Sequence, residues 1–253
     1  MDTYTSLNVL TRTLNATLAR TAKQPSVARE TTHYQAKIGT IKTIDDFLKD
    51  DRVFTYAMKA WGLEDMAYAK GMVRKILEGG VLDPKSPANT LASGRFKEFA
   101  SVFNFKAYGQ ATTTFDKVQK NTVDNYIQQQ LEKESGENNP ALKLALYFKR
   151  KAPGIKSALN ILADKNLINV VQTALSIPAQ TSYASIDAQI ALIEKKMKIS
   201  DLQDPTKLNR FLQRFALAYD AANGTGSINA ALLPSGSNIG LNSDLLMSLQ
   251  KLR

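Results

Sequence analysis

Leu7, Leu10, Leu14 and Leu18 recur in steps of three and four, with Thr, Asn and Arg between them. That spacing predicts an amphipathic helix over residues 1–24, ended by Pro25. From Ile44 the apolar positions become denser. Ile44, Phe47 and Leu48, then Val53, Phe54, Ala57, Met58 and Trp61, predict two short helices divided near Asp50-Asp51, with Asp50 as N-cap and Gly62 as the stop. Met66, Ala69, Val73, Ile76 and Leu77 predict a further helix that stops at Gly79-Gly80. Asp83-Pro84 reads as an N-cap followed by proline at the first helical position, ahead of a helix marked by Phe96, Phe99, Ala100 and Phe103.

Residues 107–114 read as a loop or weak helix. Phe115, Val118, Thr122, Tyr126, Ile127 and Leu131 then return at helical spacing. Ser135-Gly136-Glu137-Asn138-Asn139 reads as a linker, and Asn139-Pro140 restarts helix with Leu142, Ala145, Leu146 and Tyr147 inward. After Tyr219-Asp220 the chain turns Gly/Ser/Asn-rich as far as Gly240, a composition expected to be flexible. Leu241, Leu245, Leu249 and Leu252 then predict a last short amphipathic helix. No strand pattern competes: Ile168-Asn169-Val170-Val171 is short and lies inside a helical period.

The expectation is an all-α, multihelical fold: an N-terminal amphipathic helix (1–24), a first helical unit (25–134), a linker (135–139), a second helical unit (140–222) and a flexible tail with a short helix (223–253). The two units share a grammar. Ile41, Thr43, Phe47-Leu48, Asp50 and Val53 correspond at a constant offset to Ile155, Ser157, Ile161-Leu162, Asp164 and Leu167; further on, Asp83-Pro84 answers Asp204-Pro205, and Phe99 answers Phe215. An internal duplication and a merely shared helix-turn rhythm both account for this.

Composition narrows the chemistry. The 253 residues are 43% hydrophobic, enough for a real core, yet no apolar run is long enough for a membrane span, and the first residues lack the basic start and apolar block of a secretory signal. With no cysteine and one histidine, His33, neither a thiolate nor a polyhistidine metal site is expected, and no cofactor is implied. No phosphate-binding loop, dinucleotide fingerprint or nucleophile elbow occurs. Asp45, Asp46, Asp50 and Asp51 read as caps and first-turn acids, and nothing in the sequence sets them, or Glu132 and Glu134, across a cleft. Catalysis is therefore not expected.

The formal charge of +10 and a pI near 9.6 favour an acidic partner, nucleic acid included. The densest clusters, Lys149-Arg150-Lys151 with Lys156 and Lys195-Lys196 with Lys198, read as solvated helix faces, and no nucleic-acid motif accompanies them. Tyr56, Trp61 and Tyr68 are read as core rather than as partner anchors. The two terminal leucine stripes, Leu7/Leu10/Leu14/Leu18 and Leu241/Leu245/Leu249/Leu252, are the candidate partner-binding residues: a short amphipathic helix docks on the body, on its counterpart or on another chain.

A family resemblance rests on particular runs: Gln24-Pro25 through Ala28-Arg29-Glu30-Thr31, Ile44-Asp45-Asp46-Phe47-Leu48, Asp51-Arg52, Tyr56-Ala57-Met58-Lys59-Ala60, Gly62-Leu63-Glu64-Asp65-Met66-Ala67-Tyr68-Ala69-Lys70, Leu144-Ala145-Leu146-Tyr147-Phe148 and Arg150-Lys151-Ala152-Pro153. Over residues 4–220 the chain resembles the domain-of-unknown-function family 1217, the run around Trp61 being the most specific. The resemblance implies a multihelical fold and, because members are mostly alphaproteobacterial and often encoded in flagellar gene clusters, a non-enzymatic role in flagellar assembly or motility with flagellar proteins as partners. Both a cytoplasmic assembly factor and a protein exported through the flagellar apparatus fit it. A basic nucleic-acid-binding regulator is the alternative.

Overall fold

Short polar side chains punctuate the chain into many brief helices. The computed structural model describes residues 2–91 and 94–223, and every regular element in them is helical. α1 (Thr3–Arg12) and α2 (Leu14–Ala22) are followed by α3 (Pro25–Ile38), α4 (Ile44–Lys49), α5 (Asp51–Ala60) and α6 (Lys70–Gly79). Next come α7 (Pro87–Thr90), α8 (Gly94–Val102), α9 (Phe105–Tyr108) and the long α10 (Asp116–Asn138). The second part comprises α11 (Pro140–Lys151), α12 (Ala158–Leu162), α13 (Lys165–Ala174), α14 (Ile186–Lys196) and α15 (Pro205–Asn223). The all-α, multihelical expectation holds.

The described core forms two apolar clusters. The first gathers Val27, Tyr34, Phe47, Val53, Phe54, Met58, Ile76, Phe99, Phe103 and Val118 from α3 to α10. The second gathers Leu142, Phe148, Ile161, Val170, Val171, Leu212 and Phe215 from α11 to α15, and takes in Leu7 from α1.

The repeated grammar has a structural counterpart. Thr43 and Asp46 form a capping box at α4, with the Asp46 amide donating to Thr43 Oγ1 and the Thr43 amide to Asp46 Oδ2, both at 3.0 Å. At α12 the Ser157 amide donates to Asn160 Oδ1 at 3.1 Å. Asp50 caps α5 by accepting from the Val53 amide at 3.0 Å, and Asp164 caps α13 by accepting from Asn166 and Leu167 at 2.8 and 3.2 Å. Both α5 and α13 end in a left-handed turn. Gly62 has φ 71° and the next amide, Leu63, returns to Met58 O at 2.8 Å; Ser176 has φ 50° and Ile177 returns to Gln172 O at 2.8 Å. In each unit the long closing helix, α10 or α15, packs on the two matching helices, α3 and α5 or α11 and α13, while α4 meets α6 as α12 meets α14.

Three expectations need correction. The 135–139 linker is not extended chain, because α10 runs through Ser135-Gly136-Glu137 to Asn138 and only Asn139 separates it from α11. A Cβ on Gly136 would lie 2.9 Å from Lys143 Cβ, so the small residue there permits close approach of α10 and α11 in a tight hairpin. Asp83-Pro84 does not start a helix: Asp83 Oδ1 accepts from the Lys85 amide at 2.8 Å in a local turn, and α7 begins at Pro87. Consequently Asp204, which caps α15 through Thr206 and Lys207 at 2.8 and 3.0 Å, has no counterpart in Asp83, and α15 occupies the place of α10, not of α8.

The first unit therefore has an addition, α7 to α9, between α6 and its closing helix. Its rings Phe99, Phe103 and Phe105 lie 6.3, 4.9 and 5.9 Å from Phe47 of α4, and α8 and α9 rest on α6. In the second unit only a 3₁₀ turn, Ile199–Gln203, joins α14 to α15.

Candidate functional site

The N-terminal leucine stripe is committed to the body. Leu7 is 2% exposed within the second cluster, and Leu10, Leu14 and Leu18 are half-buried as α1 packs on α15 and α11 and α2 packs on α10. Asp220 of α15, itself buried, accepts from the amides of Thr3 and Tyr4 at 2.8 and 3.2 Å, putting a carboxylate at the positive end of α1. Asn139 Nδ2 donates to Thr3 Oγ1 at 2.9 Å, and Gln213 Nε2 to Asn8 Oδ1 at 2.8 Å. Of the three docking modes open to this stripe, the structure has it on the body. Leu241, Leu245, Leu249 and Leu252 lie outside the described residues.

A polar seam joins the units. Arg150 of α11 makes a two-pronged ion pair to Glu132 of α10, Nε to Oε1 at 2.6 Å and Nη2 to Oε2 at 3.0 Å, with side chains 11% and 2% exposed. The same guanidinium lies 5.1 Å from the Tyr147 ring centre, and the Tyr147 hydroxyl donates to Asp164, the cap of α13. Burial, reinforced by that bond to Asp164, raises the Tyr147 pKa well above the usual phenol range, so this hydroxyl stays protonated at neutral pH. Lys151 pairs with Glu98 of α8. The expected solvated face at Lys149-Arg150-Lys151 is thus corrected: all three side chains are half-buried, and burial lowers the Lys149 pKa. The Glu132–Arg150 pair joins residues 18 apart on two helices, a relation that no periodicity announces.

The other groups weighed for chemistry serve as caps or in pairs. Asp45 pairs with Arg74 at 2.6 Å, Asp51 with Lys70, and Glu134 accepts from Gln24 at 3.0 Å. His33 sits half-buried on α3 with no hydrogen bond to Nε2. Among the described residues no three His, Cys, Asp or Glu side chains gather as metal ligands. Tyr56 is in the core, stacked between Tyr34 and Tyr126 at 4.4 and 3.9 Å, and Trp61 is half-buried with Nε1 donating to Thr122 at 3.2 Å. Tyr68 alone of the three weighed aromatics faces outward.

Several large apolar side chains reach solvent, Tyr68 and Leu82 of the first unit among them. On the second unit Leu159 of α12, Tyr183 at the end of the 3₁₀ turn Ala179–Tyr183 and Ile186 at the start of α14 are 52%, 92% and 60% exposed. Leu162 and Ile190 beside them are half-buried. Periodicity gives no sign of this face, because which positions of α12 and α14 are covered depends on the elements packed beside them.

No curated protein is similar to this chain. Among solved structures, the X-ray structure of a protein from Agrobacterium tumefaciens, a structural-genomics target, is 45% identical with a TM-score of 0.81, over 87% of this chain and 94% of that one. Residues 60–208, a shorter span than the resemblance suggested, match the family described as "Protein of unknown function (DUF1217)". With more than half its length matched and the same architecture in the Agrobacterium protein, the chain belongs to the DUF1217 family.

Proposed function

We propose that the chain is a non-enzymatic helical protein that acts in flagellar assembly or structure by binding other proteins. The observation that carries the binding reading is the set of large apolar side chains left in solvent on the second unit, Leu159, Tyr183 and Ile186. The flagellar reading is supported by the family resemblance and the gene neighbourhood it implies. Among the described residues no helix is long and apolar enough to cross a membrane, which suits either a cytoplasmic factor or a component carried to the flagellum. The C-terminal leucines Leu241, Leu245, Leu249 and Leu252 belong to the proposed partner-binding set.

The test is fractionation of the tagged chain in its own host. Recovery with purified basal bodies or filaments is the expected result; a purely cytosolic pool without flagellar proteins sinks the flagellar reading. A second reading, nucleic-acid binding, is favoured by the uneven charge: residues 140–223 hold 12 Lys and Arg against 6 Asp and Glu, whereas residues 25–139 hold 16 against 15. Steeply salt-dependent binding to duplex DNA is its signature, and no binding at low salt removes it.

A further inference from the structure

We propose that the cleft between the C-terminal half of α1 and the N-terminal half of α15 binds a phosphate group. The proposal assigns a ligand to a place that the protein-binding reading leaves unused, and it stands independently of that reading.

α1 and α15 run antiparallel, with Thr3 meeting Asp220 and Asn8 meeting Gln213. Where α1 ends, the two helices leave a cleft of about 160 Å³. Leu7 and Leu212, 2% and 1% exposed, form its floor. Asn8, Thr11, Arg12, Asn209 and Gln213 form its walls, and they hold more donors than acceptors to receive them. Gln213 Nε2 donates to Asn8 Oδ1 at 2.8 Å, which leaves Asn8 Nδ2 to spare; were the pair reversed, Gln213 Nε2 would be the spare donor. Lys149 Nζ of α11 donates to Asn209 Oδ1 at 3.5 Å, which leaves Asn209 Nδ2 to spare. Thr11 Oγ1 and the Arg12 guanidinium make no side-chain hydrogen bond or ion pair with any described residue. Two amides, a hydroxyl and a guanidinium fork therefore open on one small concavity.

The charges around the cleft have the matching sign. α1, α2, α11 and α13 carry no carboxylate, and α15 has only Asp220, which is held by the Thr3 and Tyr4 amides at the other end of α1. The carboxylates that precede α15 are engaged as well, Asp201 by Lys207 at 2.7 Å and Asp204 by the amides of Thr206 and Lys207. Arg12, in the wall, and Lys149, on Asn209, have no carboxylate partner among the described residues. Burial lowers the Lys149 pKa, and an anion close by would favour its charged form. A second cleft supplies the contrast: Glu30, Asp51, Arg52 and Lys59 line it, but Glu30 pairs with Arg52, Asp51 with Lys70 and Lys59 with Glu64, so its charges are already met.

A tetrahedral phosphate suits donors spread over two helices, because several of its oxygens can be reached at once while the Arg12 fork takes two together. The volume is below the roughly 300 Å³ at which sites for drug-sized ligands begin, so the cleft takes one phosphate group and not the body of a large ligand. Free phosphate, a phosphate ester and a lipid headgroup share that chemistry.

The test is titration of the full-length chain with inorganic phosphate against chloride at constant ionic strength, followed by nitrogen–proton NMR correlation spectra. Saturable shifts are expected in the side-chain amides of Asn8, Asn209 and Gln213 and the Arg12 guanidinium. Arg12→Ala should weaken binding by about tenfold or more, since it removes the two-pronged, charge-assisted contact, and Arg12→Lys should recover only part of the loss. Arg20→Ala removes the same charge from the exposed side of α2, outside the cleft, and should leave binding unchanged. Arg12 is itself exposed, so unaltered circular dichroism of its variants is expected and separates lost binding from lost fold. Sedimentation with phosphatidylcholine vesicles, with and without phosphatidic acid, separates the sources: co-sedimentation that needs phosphatidic acid and Arg12 assigns the site to a lipid headgroup, and phosphate binding without it assigns the site to a soluble phosphate.

Absence of shifts at the cleft amides, or shifts as large in Arg12→Ala as in the unaltered chain, overturns the proposal. So does an equal loss in Arg20→Ala, which would mean attraction to the overall positive charge and no built site. Duplex DNA that shifts these resonances where phosphate does not overturns it too, in favour of polyanion binding. Co-fractionation with flagellar structures bears on the protein-binding reading alone, so either proposal can fail while the other stands.

Discussion

The carboxylate of Asp220 accepts the backbone amide of Thr3 at 2.8 Å across nearly the whole described chain, so the last helix caps the first. A capping residue ordinarily precedes its own helix; here a second carboxylate, beyond Asp2, comes from α15. Asp220→Ala is expected to cost about 1–3 kcal/mol, because the buried amide of Thr3 and the half-buried amide of Tyr4 lose their acceptor. Hydrogen exchange should rise first in α1. An unchanged exchange rate over residues 3–12 would refute the assignment. By the same logic, removing residues 1–24 takes Leu7 out of the second cluster, so the truncated chain should melt well below the intact one.

Glu132→Ala leaves the Arg150 guanidinium enclosed without its partner. Denaturant titration should show a loss of ~3–5 kcal/mol, whereas the paired change Glu132→Leu with Arg150→Met should cost much less, since it removes both charges from the interior. Equal losses in the two variants would mean that packing, not charge, holds this seam.

Ser176 and Gly62 occupy equivalent left-handed turns, but only one is glycine. Ser176→Gly is expected to stabilise the chain by about 1 kcal/mol by relieving the Cβ clash of that conformation. Gly62→Ala should do the opposite, since φ is 71° and a Cβ would stand 3.1 Å from Gln129 Nε2. Thermal melts of the two variants, shifting in opposite directions, would check the equivalence of the two turns.

The ends of the pH range should act through different residues. Glu30 has its pKa lowered chiefly by its hydrogen bond from Arg52, and Asp46 chiefly by the Thr43 hydroxyl. Their contribution is fully present above the ordinary carboxylate values of 4.5 and 3.8 and is lost as pH falls below them. Burial raises the Tyr34 and Tyr56 pKa values, so their contribution is present below the ordinary value of 10.0 and is lost as pH climbs above it. Stability against pH should form a plateau, with Glu30→Gln and Asp46→Asn flattening only its acid edge.

Much of the architecture was legible because local chemistry and fold agree in it. Asp50 and Asn139 cap where their side chains say they should, and Phe47, Val53 and Val118 are buried where periodicity sets them. Asp83-Pro84 misled because aspartate closes a turn as readily as it caps a helix. Ser135-Gly136 misled because small residues mark close helix approach as well as linkers. The clustering at the seam and the exposure of Leu159 and Ile186 were not legible, since both depend on which helices meet. Glu132 carries no sign of Arg150, and Ile186 no sign of the exposure it has at the start of α14.

Gly136 lets α10 and α11 lie so near one another that they form a common wall, α10 closing the first apolar cluster while α11 opens the second. A wall held in common cannot dissolve on one side and stand on the other. The described residues accordingly enclose two interiors that should melt together, and calorimetry should record one cooperative transition where the division into two clusters would suggest two.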